Sequence, residues 1–241
     1  MYYKIIYIFS IIFSIFSFSN SFGEESFDNK VRKFILENPE LLLKSLENYQ
    51  KKIESSKKSK ELNFLKKNKV FILENPFNQK NQNYDGSIVF INFIDYKCFY
   101  CRKANNDINE LLKSYKKINY IVKELPILGN ESVLASKMAL SVLIDQGPKT
   151  YNKLQEKLFK FNGEFTKKNI KKIIKEIGAV YDEKIAKKNK EKIELHLNNN
   201  FLIANKLGIL GTPTYIIENE IIKGYVKKEK LEETIRKYIK N

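Results

Sequence analysis

Both cysteines of the chain stand in one short run, Cys98-Phe99-Tyr100-Cys101, between an apolar β-forming stretch from Phe90 to Ile94 and a pattern of helical period that follows. A Cys-x-x-Cys at a strand-to-helix junction puts its first sulfur at a helix N-terminus, where unpaired N–H groups and the macrodipole favour a thiolate. The thiolate is the nucleophile of thiol–disulfide exchange, so the chemistry is expected here. A purely structural crosslink is the rival reading. It fails because a loop closed over two intervening residues constrains almost nothing in the unfolded chain. Zinc is equally poorly served, since no second Cys pair exists and His196 is the only histidine. No metal and no organic cofactor is expected.

The redox reading depends on compartment, which the N-terminus addresses. Lys4 supplies a short positive start, Ile5 to Phe18 is apolar apart from Ser10, Ser14 and Ser17, and Ser21-Phe22-Gly23 offers small residues where a signal peptidase reads. That apolar core is shorter than the roughly 20 residues of a membrane span. Residues 1–23 are therefore expected to be a secretory signal, with an uncleaved anchor as the alternative, and the exported chain to begin at Glu24.

The chain has 241 residues, 43% of them hydrophobic, enough for one medium domain plus a smaller unit. Its formal charge is +16. About half of the excess lies between Lys149 and Ile193, where 14 Lys face 6 acids. The spread is that of solvated helix faces. Nucleic-acid binding calls for Arg and clustered aromatics, whereas only Arg32, Arg102 and Arg236 are present. Attraction to anionic envelope surfaces is a weaker alternative.

Ser26 to about Asn75 reads as helical, with Asn38 as a cap before Pro39 at the first helical position. Leu42, Leu46, Tyr49 and Ile53 then make a narrow seam of coiled-coil period, which must pack on a copy of itself or dock in cis. The repeated Phe-Ile-Leu-Glu-Asn-Pro at residues 34–39 and 71–76 has unmatched flanks and reads as coincidence. Phe77 to Gly86 is a polar linker. Beyond it, strands are expected over Ser87–Ile94 and Ile118–Leu125, parallel across a helix from Arg102 to Lys117. Glu131 to about Leu207 reads as helical throughout. A hairpin of Thr214–Ile217 with Ile221–Tyr225 and a closing helix from Lys228 to Lys240 finish the chain. The order is that of an α/β thioredoxin core with a helical insertion at about 131–207, preceded by a small helical segment over 24–76.

Three motifs carry a resemblance: Phe93-Ile94-Asp95-Tyr96-Lys97-Cys98-Phe99-Tyr100-Cys101, then Glu124-Leu125-Pro126-Ile127-Leu128-Gly129 with Ser132 and Ala135, and Gly211-Thr212-Pro213-Thr214. With the Asn38-Pro39 helix, they make the chain resemble the DsbA-like thioredoxin-fold disulfide oxidoreductases. The likeness is greatest to the exported subgroup with an N-terminal oligomerisation segment, typified by the suppressor-of-copper-sensitivity C proteins.

The resemblance implies a division of labour. Cys98, beside Lys97, is the solvent-facing nucleophile of low pKa, and Cys101 is the more buried sulfur that resolves the mixed disulfide. Phe99 and Tyr100 shape thiolate stability and substrate contact. Pro213 is a cis proline facing the sulfurs, leaving Thr212 to pair main-chain groups with an extended substrate. Tyr100 stands where strong oxidants of the family carry histidine, so a less oxidising pair is expected. Asn92 departs from the pattern: six residues before the nucleophile the family commonly keeps a buried acid. An amide cannot take a proton as a carboxylate does, and Asp95, on the other strand parity, is no direct substitute. His196 reads as a solvated surface residue.

The function expected is a periplasmic enzyme that forms, reduces or isomerises disulfides. Its partners would be exported cysteine-containing proteins, a membrane or soluble redox partner that resets the pair, and further copies of itself through residues 26–75. The alternatives are an exported chaperone or binding protein, or a soft-metal handler using the same thiols.

Overall fold

The computed structural model describes residues 26–73 and 88–239. The signal and the Phe77–Gly86 linker lie outside them. The chain divides into two compact units, Met1–Lys57 and Lys58–Asn241.

In the first unit, helix α1 (Phe27–Glu37) starts where Ser26 Oγ accepts the Asn29 N–H at 3.3 Å. Asn38 closes it, its main-chain and side-chain N–H groups both donating to the Phe34 carbonyl. Helix α2 (Pro39–Lys67) begins at the proline, as the missing N–H and fixed φ favour. Leu42, Leu46, Tyr49 and Ile53 are all exposed.

The second unit is built on a four-stranded sheet of β1 (Ile88–Ile94), β2 (Ile118–Glu124), β3 (Thr214–Ile217) and β4 (Glu220–Lys223), in the order β2-β1-β3-β4. β1 and β2 run parallel, as expected, and β3 is antiparallel to both β1 and β4. Side-chain parity splits the sheet into two faces. Ile91 and Phe93 turn to one face, where they share a core with Leu65, in the stretch of α2 from Lys58 onward that belongs to this second unit, Ile72 of α3 (Lys69–Leu73), Ile121 and Ile216. Burying Leu65 and Ile72 contributes about 2 kcal/mol each. Lys223 Nζ adds an ion pair to Glu61 at 2.7 Å. Ile88 and Phe90 turn to the opposite face, onto α4 (Phe99–Ser114) and α9 (Lys228–Ile239).

Four helices lie between β2 and β3: α5 (Asn130–Lys160), α6 (Lys167–Glu176), α7 (Glu183–Lys188) and α8 (Lys190–Lys206). The helical stretch expected from Glu131 to about Leu207 is broken in the structure. Residues 161–166 and 177–182 are not helical, because Thr166 caps α6 through Asn169 N and Asp182 caps α7 through Lys184 N and Ile185 N. Helix α5 also bends at Gly147, whose φ of 79° precedes Pro148. Helix α4 begins at Phe99 rather than Arg102 and ends at Ser114 rather than Lys117. The Lys117 carbonyl instead accepts the N–H of Ile88, starting the sheet.

Candidate functional site

Cys98 is the N-cap of α4. Its Sγ accepts the Cys101 N–H at 3.3 Å, and as a thiol it donates to the Thr212 carbonyl at 3.0 Å. The Thr212–Pro213 bond is cis, and the loop is tied down by Thr214 Oγ1 donating to Gly211 O and by Gly224 N donating to Pro213 O. Cys98, Cys101, Thr212 and Pro213 therefore converge from α4 and the start of β3. Phe99 and Tyr100 lie outside that cluster on the rim, 70% and 53% exposed. Tyr100 stacks on Tyr225, and Lys103 Nζ lies 4.8 Å above the same ring. Leu210, two residues before Thr212, is 93% exposed and adds a further apolar side chain to the surface.

Cys98 is 6% exposed and so buried rather than solvent-facing as expected, and Cys101 is 2% exposed, yet the two sulfurs are electrostatically unequal. The Cys98 thiol is lowered to about 6, first by its bond with the Cys101 side chain, then by the Thr212 side chain and the N–H groups of Cys101 and Tyr100, with burial opposing. Cys101 is pushed far up, by burial first and then by its bond to Cys98 and the charge there. Lys97 plays a different part from the one expected. Its Nζ lies 2.9 Å from Glu131 Oε2, so its charge is already partnered, and the lowering comes from hydrogen bonds at the helix start.

A measurable pH profile follows. Iodoacetamide should alkylate one thiol of the reduced protein with a midpoint near pH 6, while Cys101 stays unreactive. A midpoint above pH 8 would contradict the arrangement. Because the folded pKa is depressed below the unfolded value of about 8.5, the thiolate stabilises the reduced fold fully above that pH. The contribution is lost as pH falls through about 6.

Asp95 proves to be structural. Fully buried, it accepts from Lys97 N at 2.8 Å, Ile127 N at 2.9 Å and Leu128 N at 3.0 Å, joining the cysteine turn to the loop after β2. Asn92 is buried, and its Nδ2 donates to Tyr120 Oη at 2.9 Å.

The expectation for His196 is wrong: it is 3% exposed on α8, with Nε2 3.7 Å from Glu124 Oε2 and 3.3 Å from Asn200 Nδ2. Its partner comes from β2, far away in sequence, so the surrounding lysines and asparagines gave no sign of burial. Glu124 itself was missed as an interaction centre. It accepts from Tyr151 Oη, and Gln155 donates to Tyr151 at 2.7 Å and to Tyr96 at 3.3 Å, which links Glu124 to the turn before Cys98.

A family model described as thioredoxin matches residues 83–237. Among solved structures the chain is similar to the thiol–disulfide exchange protein α-DsbA2 of Wolbachia pipientis, at 30% identity and a TM-score of 0.68, covering 76% of this chain and 98% of that one. It is also similar to a periplasmic thioredoxin-like protein of Salmonella enterica serovar Typhimurium, at 27% identity and a TM-score of 0.63, covering 71% and 95%. Proteus mirabilis ScsC in a compact conformation shares the fold, at 24% identity and a TM-score of 0.65, covering 90% and 98%. No curated protein matches the chain in sequence.

Proposed function

The chain belongs to the thioredoxin family as a DsbA-like thiol–disulfide oxidoreductase, and from that premise we propose that it acts in the periplasm on disulfides of exported proteins, through Cys98 and Cys101. One observation carries the reading: Cys98 caps α4, and its pKa is lowered to about 6 while that of Cys101 is raised. A sulfur that is thiolate at neutral pH attacks first, and a buried neighbour that keeps its proton stays in reserve. Cys98 and a substrate sulfur form the mixed disulfide. Cys101, or a second substrate thiol, then resolves it, the intramolecular attack being favoured by proximity.

The exposed side chains of Phe99, Tyr100 and Leu210 support an extended, partly apolar polypeptide as substrate. Residues 1–23 support export, as does the periplasmic description of the Salmonella relative. The exposed seam from Leu42 to Ile53 supports self-association.

A Cys101→Ser variant produced with its own N-terminus tests the reading. It should accumulate in reducible, disulfide-linked adducts with exported proteins in the periplasmic fraction, and carry Glu24 as its first residue. Adducts confined to the cytoplasm, or none, would overturn the proposal.

A further inference from the structure

If Cys98 and Cys101 are the exchanging pair, Cys101 must shed a firmly held proton before it can attack, and Asn92 is no base. Three polar side chains gather on the sheet face that carries α4: Asn92 on β1, Tyr120 on β2 and Tyr215 on β3. Asn92 and Tyr215 are direct cross-strand partners, and Asn92 Nδ2 holds Tyr120 Oη at 2.9 Å. Tyr120 packs against the cluster that contains Cys101, Ile94 and Val122. A negative charge on Cys101 would raise the pKa of both tyrosines, after burial, which is the larger cause. Asn92 Oδ1 and Tyr215 Oη are buried without a hydrogen-bond partner among the described residues, and such atoms are the usual seats of ordered water.

The same tyrosine also lines a cleft. A cleft of about 280 Å³ opens between α4 and α5, lined by Tyr120 together with Asn109, Gln155 and Glu156, and with Lys113 and Lys116. Tyr120 thus belongs both to the wall of an open, polar-rimmed cavity and to the packing around the cluster that holds the buried sulfur.

We propose that Tyr120, its hydroxyl held by Asn92, is the proton relay of Cys101, carrying that proton between the buried sulfur and water in the cleft between α4 and α5. Burial holds the phenol's own proton more firmly than usual, so Tyr120 does not act as an ionised base. It accepts a proton on oxygen while giving up its own, and it is neutral before and after. The Cys101 thiolate then attacks Cys98 Sγ of the mixed disulfide. The Cys98–Cys101 bond forms, the bond from Cys98 to the substrate sulfur breaks, and its electron pair leaves on that sulfur, which is protonated. The two protein thiols are oxidised and the substrate disulfide is reduced. The reverse reaction uses the same path.

Lys113, Lys116 and Glu156 face the relay from the cleft. Cys101 is met by Cys98, Thr212 and the Asp95 main chain. Tyr215 is met by Tyr120, Tyr225 and Asp107 as well as by Cys101.

Reaction of the reduced protein with dithiobis-nitrobenzoate separates the steps. The first coloured thiolate released reports attack by Cys98, and the second reports attack by Cys101 on the mixed disulfide. Tyr120→Phe should leave the first release within about twofold and slow the second at least about tenfold at pH 7, the gap closing as pH rises and hydroxide takes the proton directly. Asn92→Asp adds a carboxylate at the same point and should speed the second release and lower its pH midpoint. A second release equal to the parent's in either variant, or slowed by the same factor at every pH in Tyr120→Phe, would overturn the relay. Loss of the first release in the unmodified protein would instead overturn the assignment of Cys98.

Discussion

Cys98→Ser is expected to lower insulin reduction and the refolding of scrambled substrates by about a thousandfold or more. The fold should survive, because serine is among the preferred N-caps and its oxygen still accepts the Cys101 N–H that Sγ holds at 3.3 Å. What disappears is the anion. The hydrogen bonds that bring Cys98 to about 6, the Cys101 side chain first, cannot ionise a hydroxyl near neutral pH. Cys101→Ser differs in kind, since it keeps the attacking thiolate and removes the resolving sulfur. The pair of variants therefore splits attack from resolution. Cys98→Ser with unchanged thermal unfolding and lost turnover is the expected result. Retention of parental turnover would place the activity elsewhere and favour a chaperone-like role for the chain.

The parts of this site that could be read from the sequence are those set by neighbours along the chain. The apolar run from Ile88 to Ile94 followed by Cys-x-x-Cys marks its own strand-to-helix junction, and Gly211-Thr212-Pro213 marks its own turn. The helix starts at Phe99 rather than Arg102 because the cap is Cys98 itself, bonding through sulfur, and cysteine is not a residue that signals a cap. Other features depend on partners brought together only by folding. His196 is buried by Glu124, Asp95 is used up by Ile127 and Leu128, and Lys97 is paired with Glu131. Tyr120 was within reach. In a parallel pair with Asn92 opposite Val122, strand parity puts residue 120 on the Asn92 face. The alternating apolar pattern of β2 hid it as one more core aromatic.

Glu124→Ala is the substitution with the largest expected cost to stability, about 3–5 kcal/mol by urea unfolding. Glu124 is fully buried at the end of β2, and truncating it leaves α5 and α8 without the carboxyl group they share. Tyr151 Oη on α5 loses the carboxylate it donates to. His196 on α8 loses the oxygen 3.7 Å from Nε2. Lys123, already lowered to about 8 by burial, loses the Glu124 charge that raises it. Glu124→Gln keeps an acceptor of similar shape for Tyr151 and should recover more than half of the loss. The consequence reaches the chemistry through Tyr96, which donates to Tyr151 and lies two residues before the nucleophile. Glu124→Ala should therefore also broaden the alkylation profile of Cys98, because the turn that presents the sulfur is no longer held from below. A loss under about 1 kcal/mol would mean that the helical insertion and the cysteine turn are joined by packing alone, since a buried carboxylate linking both cannot be removed so cheaply.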